Sequence, residues 1–251
     1  MATSTASQWV VTTKANSEAR LRFFCFPYAG GNAFTFRKWP DFLPERVEIC
    51  AVQLPGRGSR IQEPPLRRIS DLVPMIAQAI IGYEDLPMAF FGHSMGAIIA
   101  FELARYLRKT RNVNLVHLFV SGRRAPQVPL DEPMTHNLPE PEFIETLRTL
   151  NGTPKEVFEH PELLELMIPV LRADFAVCQT YDYTHEPPLD CPITAFGGLK
   201  DGEVTREQLE AWRKQTTASF SLRMLPGDHF FINSAQPLFF ELISRDLARF
   251  I

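Results

Sequence analysis

The stretch Gly92-His93-Ser94-Met95-Gly96 constrains the fold of this chain more than any other, because it joins an apolar, strand-like run to a helical one. A serine at so tight a turn must adopt an unfavourable backbone conformation, and the chain crowds against itself two residues before and two residues after it. Glycine lacks Cβ and relieves the crowding at both positions. A five-residue pattern can also arise by chance in a loop. Here the strand and helix on either side favour a nucleophile elbow that exposes the Ser94 hydroxyl.

Strand-like and helical runs alternate on both sides of this turn. The alternation predicts an α/β fold with a mainly parallel sheet, flanking helices and right-handed crossovers. Reacting groups of such proteins gather at the carboxyl ends of the strands. Residues 9–11 could add a short edge strand. Strands are predicted at residues 21–26, 47–52, 88–91, 115–121, 192–197 and 220–225, and helices at 71–83, 97–108, 205–215 and the C-terminal end.

The alternation stops between residues 123 and 188, which are rich in proline and contain two helical patterns. We predict a helical insertion here, 123–188, that lies above the strand ends and covers the nucleophile as a lid. Residues 1–122 and 189–251 then form the core of a single domain, which is consistent with the length of the chain. The apolar faces of the insertion could also simply pack on the body of the domain, and both roles can hold at once.

Composition excludes several classes of function. A net charge of -3 gives no reason to expect nucleic acid binding, and no run of about 18 apolar residues predicts a membrane helix. The N-terminus lacks the basic start and apolar core of a secretory signal. Four cysteines are scattered without metal-ligand spacing, so we expect free thiols in the cytoplasm and no metal site, with a disulfide as the minor alternative.

A serine hydroxyl needs a histidine to take its proton and a carboxylate to orient that histidine. In this kind of fold the chain order is serine, acid, histidine. Of the six histidines, only His229 lies in a loop directly after the last predicted strand. Asp201 lies in a glycine-rich turn past the preceding predicted strand, with Glu203 as its closest rival and Asp228 too near His229 to reach round to the imidazole. We therefore predict a catalytic triad of Ser94, Asp201 and His229.

Two backbone amides are predicted to bind the oxyanion that forms during catalysis. Met95 begins the helix after the nucleophile, where backbone donors and the helix dipole favour negative charge. The second donor comes from the loop Pro27-Tyr28-Ala29-Gly30-Gly31, whose adjacent glycines permit an unusual backbone path. We assign it to the Ala29 amide, with Tyr28 as an alternative. A simple β-turn would explain the same residues without a catalytic role.

With these residues placed, the sequence resembles the type II editing thioesterases of polyketide and nonribosomal peptide synthesis, which have the α/β-hydrolase fold. It is more distantly similar to the medium-chain thioesterase of animal fatty acid synthesis. The resemblance runs from about Phe23 to the C-terminus. The matching segments are Phe26-Pro27-Tyr28-Ala29-Gly30-Gly31, Leu54-Pro55-Gly56-Arg57-Gly58, Phe91-Gly92-His93-Ser94-Met95-Gly96-Ala97, Leu171-Arg172-Ala173-Asp174, residues 197–201 and Gly227-Asp228-His229-Phe230-Phe231.

This resemblance implies that Ser94 is acylated by a thioester, that the Ala29 and Met95 amides hold the oxyanion, and that His229 then activates water to release a free acid. The family acts on acyl groups attached through phosphopantetheine to acyl or peptidyl carrier protein domains of a synthase, and it clears stalled or misloaded chains. The resemblance also implies that the insertion shapes an acyl chamber. The carrier supplies the phosphopantetheine, so we expect no cofactor in this chain, which we expect to be a monomer.

Arginines follow two of the predicted strands and could surround the mouth of the site. Arg57 and Arg60, with Arg67 and Arg68 beyond them, follow one strand, and Arg123 and Arg124 follow another. Carrier proteins of this kind tend to be acidic, and arginine suits phosphate. We therefore expect Arg57, Arg60, Arg123 and Arg124 to steer carrier docking. Solvated surface charge is the competing explanation.

Three other functions fit the same triad less well. A carboxylester hydrolase or lipase would use it on oxygen esters, and an acyltransferase would pass the acyl group to a small alcohol or amine. A non-catalytic ligand receptor could also be built on a hydrolase fold. The predicted triad and both oxyanion loops argue against the receptor.

Overall fold

The structure is a computed structural model, and it describes residues 6–111, 113–129, 133–150, 152 and 155–251. Parts of the predicted insertion and the first five residues of the N-terminus lie outside this range. Within it the strands are β1 (Val10–Thr12), β2 (Leu21–Phe26), β3 (Val47–Val52), β4 (Met88–His93), β5 (Leu115–Ser121), β6 (Ile193–Gly198) and β7 (Phe220–Leu225). The helices are α1 (Ala6–Trp9), α2 (Ile69–Ala79), α3 (Met95–Thr110), α4 (Glu140–Thr149), α5 (Lys155–Glu159), α6 (Pro161–Gln179), α7 (Arg206–Glu210), α8 (Phe231–Ser234) and α9 (Gln236–Leu247).

The seven strands form one sheet in the order β1-β3-β2-β4-β5-β6-β7. Strand β1 is the predicted edge strand and runs antiparallel to β3, whereas every other neighbouring pair is parallel. The mainly parallel sheet is therefore confirmed. Strand β4 lies between β2 and β5, so the loops that follow these two strands flank the turn at Ser94.

Alternating side chains of the central strands fill two separate cores, one on each face of the sheet. Phe24 and Phe90 belong to the core that α2 and α3 cover. Phe23 and Phe91 belong to the opposite core, which the C-terminal helix α9 covers. All six residues of β4 are buried. Burial on both faces explains why these strands are continuous apolar runs, which is typical of a parallel sheet between two layers of helices.

The helices differ from the sequence prediction mainly at their ends. Helix α2 stops at Ala79, and the chain then turns through Gly82 with φ of 92°. Helix α3 begins directly after Ser94. The helix predicted at residues 205–215 is α7 followed by a 3₁₀ turn at Ala211–Gln215. Within that turn the Trp212 ring is buried, and its indole N–H donates to the Arg123 carbonyl oxygen at 2.8 Å.

Two predictions about the whole chain can be compared with the structure. The cysteines Cys25, Cys50, Cys178 and Cys191 all carry free thiols, as expected. Among the described residues, no helix combines the length and the apolar character that crossing a bilayer requires. Helices α4 to α6 occupy the segment between β5 and β6, where we predicted an insertion. Its boundaries and its role as a lid stay predictions.

The aromatic core under α9 generates a prediction about stability. The buried Trp39 ring packs against the rings of Phe36, Phe91 and Phe240 with centroid separations of 4.9, 4.9 and 5.1 Å. Trp39→Ala should lower the free energy of unfolding by about 3–5 kcal/mol, because it opens a cavity that these rings cannot fill. Urea denaturation measures the change. Phe34→Ala is the control, since Phe34 is 64% exposed and should change the stability by less than about 1 kcal/mol. Equal effects of the two substitutions would contradict the prediction.

Candidate active site

Ser94 occupies a strained turn between β4 and α3. Its backbone has φ of 53° and ψ of -113°, and among the described residues it is the one residue other than glycine with a positive φ. A Cβ on Gly92 would overlap the Gly96 carbonyl oxygen, and a Cβ on Gly96 would overlap the Phe26 carbonyl oxygen. The Ser94 N–H donates to the Ser121 carbonyl oxygen at 2.8 Å, which ties the turn to β5. The predicted crowding on both sides of the serine is therefore confirmed.

The structure brings His229 and Asp201 together from the loops after β7 and β6. His229 Nδ1 lies 3.0 Å from Asp201 Oδ2. The other carboxylate oxygen, Oδ1, accepts the backbone N–H groups of Glu203 and Val204 at 2.8 and 3.2 Å. The Asp201 side chain is completely buried. These contacts leave the carboxylate one orientation, in which it accepts a hydrogen bond from the Nδ1–H of the imidazole ring.

Electrostatics at this pair favour a positively charged imidazole. Burial lowers the pKa of His229, but the hydrogen bond to Asp201 and the negative charges of Glu203 and Asp201 outweigh it, and the pKa is raised above its ordinary value. Burial raises the pKa of Asp201, yet the hydrogen bond to His229 and the ring's charge hold it below its usual range. Glu203 Oε2 is 3.9 Å from His229 Nε2. The pair is thus built to stabilise a proton that arrives at Nε2.

Ser94 and His229 line one narrow pocket, together with Ala29 and Glu203. Its remaining walls are largely apolar and include side chains on or next to α4 and α6. These wall residues are Leu147, Leu150, Leu171 and Phe175. The pocket therefore places a hydroxyl, an imidazole and a backbone amide segment beside a small apolar space.

His93 packs behind the imidazole of His229, with their ring centroids 5.0 Å apart. Burial and the neighbouring charge of His229 lower the pKa of His93 well below its ordinary value, so the ring is neutral at physiological pH. Its Nδ1 is 2.9 Å from Ser121 Oγ. A neutral ring here fills space behind His229 without competing for the proton.

The loop after β2 forms a β-turn that the Gly31 N–H closes on the Tyr28 carbonyl oxygen at 2.8 Å. Ala29 and Gly30 occupy its central positions, and the φ of 77° at Gly30 is typical of a type II turn. The loop is thus a β-turn, and Ala29 within it lines the pocket beside Ser94. Met95 is the first residue of α3, where backbone N–H groups lack partners inside the helix. The oxyanion role of both amides stays a prediction.

The burial of the Arg57 and Arg60 side chains contradicts our prediction that these residues steer carrier docking. Arg57 is 6% exposed, and its guanidinium binds both carboxylate oxygens of Asp174 at 2.5 and 2.7 Å. Arg60 is 5% exposed, pairs with Glu63 and lies 3.9 Å above the Trp9 ring. Their guanidinium groups are directed into the protein, so neither can meet a partner at the surface.

Arg123 and Arg124 are half-buried beside a surface groove that also includes Tyr181 and Asp182. Arg123 Nη2 donates to the Cys178 carbonyl oxygen at 3.3 Å, and Arg124 Nε donates to the Val128 carbonyl oxygen at 3.2 Å. Both keep part of their surface open to solvent. Carrier docking by this pair stays a prediction.

Asp174 belongs to the segment Leu171-Arg172-Ala173-Asp174, for which we predicted no role from the sequence. It lies in α6 and accepts the Gly30 N–H at 2.7 Å as well as the guanidinium of Arg57. A signal for it does exist in the sequence. Asp174 falls three residues from Leu171 and Val177, on the apolar face of its helix, where an unpaired carboxylate is too costly to bury.

Within the described residues, no group of three or more histidine, cysteine, aspartate or glutamate side chains could hold a metal ion. The site is built instead from a strained serine between a parallel strand and a helix, with a His–Asp pair at the ends of two later strands. This is the architecture of the α/β-hydrolase fold.

The chain belongs to the thioesterase domain family, which it matches over residues 22–247. It is 49% identical to the gramicidin S biosynthesis protein GrsT of Aneurinibacillus migulanus over 244 residues, which are 97% of this chain and 95% of that protein. It is 35% identical to the thioesterase PikA5 of Streptomyces venezuelae over 90% of this chain and 80% of that protein. The solved structure of the type II thioesterase BorB, from the borrelidin biosynthetic cluster, superposes with a TM-score of 0.87 at 34% identity, covering 95% and 97% of the two chains.

The charge of Glu203 beside His229 generates a prediction about the pKa of the imidazole. Glu203→Gln should lower the pKa of His229, because the negative charge that favours the protonated ring is removed. An NMR titration of the His229 ring proton measures the shift directly. Asp228→Asn removes another exposed charge next to His229, and it keeps the oxygen that accepts the Phe230 N–H. It should shift the pKa less. A His229 pKa that is unchanged or raised in the Glu203 variant would contradict this explanation.

Proposed function

We propose that this protein is a serine thioesterase that hydrolyses acyl groups from the phosphopantetheine arm of carrier protein domains. The observation that carries the proposal is the common pocket of Ser94 and His229, with Asp201 bonded to the far side of the imidazole. These residues are the nucleophile, the base and the acid that orients the base. Membership of the thioesterase family supports a thioester as the bond that is broken.

In the first half of the reaction Ser94 Oγ attacks the thioester carbonyl carbon while His229 Nε2 accepts the hydroxyl proton. Asp201 stabilises the imidazolium that results. The carbonyl oxygen becomes an oxyanion, to which the Ala29 and Met95 amides donate hydrogen bonds. When the tetrahedral intermediate collapses, the carbon–sulfur bond breaks. The thiol of the phosphopantetheine arm leaves with the proton from His229, and the acyl group remains on Ser94.

In the second half His229 takes a proton from a water molecule, which attacks the acyl-serine carbonyl carbon. The same two amides stabilise the second oxyanion. Collapse of this intermediate breaks the bond to Ser94 Oγ, and the proton on His229 returns to the serine. The products are a free acid and an unloaded carrier. The chain needs no cofactor of its own for these steps.

The names of the relatives support a role in the synthesis of peptides or polyketides. GrsT is named for gramicidin S biosynthesis, and BorB is a type II thioesterase from a borrelidin cluster. We infer that this protein acts on the acyl or peptidyl carrier domains of a peptide or polyketide synthase, where it releases stalled or misloaded chains. Such a role places it in the cytoplasm beside the synthase, and we expect it to act as a monomer.

Replacing the nucleophile tests the proposed chemistry. Ser94→Ala should lower the rate of hydrolysis of a short acyl-N-acetylcysteamine thioester by about 10³-fold or more, because no acyl-enzyme can form. Release of the free thiol measures the rate. Ser70→Ala is the control, since Ser70 is exposed at the start of α2 and should leave the rate unchanged.

Two further results would indicate a function other than thioester hydrolysis. A higher kcat/KM for the matching oxygen ester than for the thioester would favour a carboxylester hydrolase. Absence of labelling by a serine-directed fluorophosphonate, together with no turnover by the unmodified protein, would contradict an enzymatic function. Comparing acyl carrier protein, acyl-coenzyme A and the N-acetylcysteamine thioester then measures how much of the specificity comes from the carrier.

Carrier docking by Arg123 and Arg124 is tested by reversing their charge. The double variant Arg123→Glu/Arg124→Glu should lower kcat/KM for acyl carrier protein by about 10-fold or more, because repulsion replaces attraction to an acidic partner. Turnover of the small thioester should persist. The control Arg245→Glu/Arg249→Glu changes charge equally at exposed positions of the last helical segment. Neighbouring Asp246 contacts Thr194 near the beginning of β6, whereas Arg123 and Arg124 follow the end of β5. Equal losses in both double variants would rule out a specific docking role.

A further inference from the structure

We infer that Asp174 is a positioning residue for the oxyanion loop, residues 27–31, and that it acts through the Gly30 amide with Arg57 as its counter-ion. The inference rests on the proposed function, since it concerns how the Ala29 amide is held. Asp174 itself is a residue of α6 and touches the backbone of the loop rather than the pocket at Ser94.

Both oxygens of the Asp174 carboxylate are fully engaged. Oδ2 accepts the Gly30 N–H at 2.7 Å and Arg57 Nη1 at 2.5 Å, and Oδ1 accepts Arg57 Nη2 at 2.7 Å. Asp174 is 1% exposed, so no solvent competes for these bonds. A bidentate guanidinium fixes the plane of the carboxylate as well as its position. The carboxylate therefore holds the Gly30 N–H in one direction.

Arg57 contacts the same loop at a second point. Its Nη1 donates to the Gly31 carbonyl oxygen at 3.3 Å, and its Nε donates to the Pro55 carbonyl oxygen at the same distance. The Asp174 carboxylate thus accepts an N–H of the turn, and the Arg57 guanidinium donates to a C=O of the same turn. The same pair of side chains therefore holds two adjacent residues of the loop, Gly30 and Gly31.

The turn sets the direction of the Ala29 N–H, and the pair of Asp174 and Arg57 holds the turn in place. The Tyr28 C=O and the Ala29 N–H belong to one planar peptide unit, and the described backbone contains no cis peptide bond. Because the Tyr28 oxygen faces inward to accept the Gly31 N–H, the Ala29 N–H must face out of the turn. The next peptide unit contains the Ala29 C=O and the Gly30 N–H, and its rotation would change the type of the turn. The bond from Gly30 N–H to Asp174 opposes that rotation.

The arrangement also keeps net charge away from the oxyanion. A bare carboxylate on the loop would repel the negative charge that forms on the thioester oxygen. Pairing with Arg57 cancels the charge of Asp174 while leaving its oxygens as acceptors. Burial of an ion pair is weak evidence for stability, because desolvation offsets the attraction between the charges. The contact with Gly30 explains the pair better than stability does.

The test compares Asp174→Asn with the unmodified protein in hydrolysis of the acyl-N-acetylcysteamine thioester. We expect kcat to fall by about 10²-fold with little change in KM, because a misdirected donor weakens binding of the transition state more than binding of the substrate. The amide proton of Gly30 should also shift upfield in the NMR spectrum, since it loses a charged acceptor. The pKa of His229 should change little, because the charged groups that mainly shift it are Asp201, Glu203 and Arg123.

Two further variants separate positioning from folding. Asp246→Asn is the matched control, because Asp246 also pairs with an arginine, Arg223, at 2.6 Å, but it contacts Thr194 of β6 rather than the loop after β2. It should leave kcat unchanged. Asp174→Leu/Arg57→Met replaces the buried pair by apolar side chains of similar size and avoids leaving an unpaired charge. Circular dichroism should show this double variant to be folded, and its kcat should still be low.

The outcomes distinguish this inference from the proposed function. Unmodified protein that hydrolyses no thioester contradicts the proposed function, and the inference falls with it. Active protein in which Asp174→Asn keeps full kcat, or a folded double variant with full kcat, overturns the inference alone. A loss of kcat in Asp246→Asn as large as that in Asp174→Asn would also overturn it, because the effect would then be general destabilisation.

Discussion

The approach of Gly96 to the carbonyl oxygen of Phe26 is the contact on which the rest of the site depends. No side chain fits between them, since even a Cβ on Gly96 would overlap that oxygen. Helix α3 therefore starts directly against the end of β2. As a result, the loop that contains Ala29 and the first turn of α3, which contains Met95, flank the same serine. The two amides that we propose as donors come from segments about 65 residues apart, and the absence of one side chain brings these segments together.

The negative charges of the site are placed differently around His229 and around the oxyanion loop, in a way that suits the proposed reaction. Asp201 and Glu203 lie beside His229 and raise its pKa, so they favour the imidazolium that would form in the proposed reaction. On the side of the oxyanion loop the carboxylate of Asp174 is cancelled by Arg57. Negative charge is thus present where the proposed reaction would form a cation, and it is neutralised where that reaction would form an anion. In a buried site of low dielectric this arrangement matters more than it would in water.

The sequence alone predicted the structural features that depend on local pattern, namely the strands and the turn at Ser94. Apolar runs predicted six strands within about one or two residues, and the elbow followed from steric crowding at Gly92 and Gly96. The prediction for Arg57 was wrong because its partner, Asp174, is 117 residues away, and spacing along a chain carries no information about such a pair. The same limit applies to Asp174 and Gly30, which are 144 residues apart. A charged residue on the apolar face of a helix signals a buried partner but does not identify it.

The pair of Asp174 and Arg57 also restricts how the predicted lid can work. Helix α6 is tied to the core by the bond from Asp174 to Gly30 and by Leu171, which would contact any Cβ placed on Gly30 at 2.9 Å. Among the described residues, no hydrogen bond joins α4 to the oxyanion loop. Helix α4 packs on α6 through rings such as Phe143 against Phe175, at a centroid separation of 5.5 Å. If residues 123–188 moved as one unit, the oxyanion loop would lose its acceptor. An opening that leaves the catalytic backbone in place must therefore displace α4, with Leu147 on it, while α6 stays against the loop.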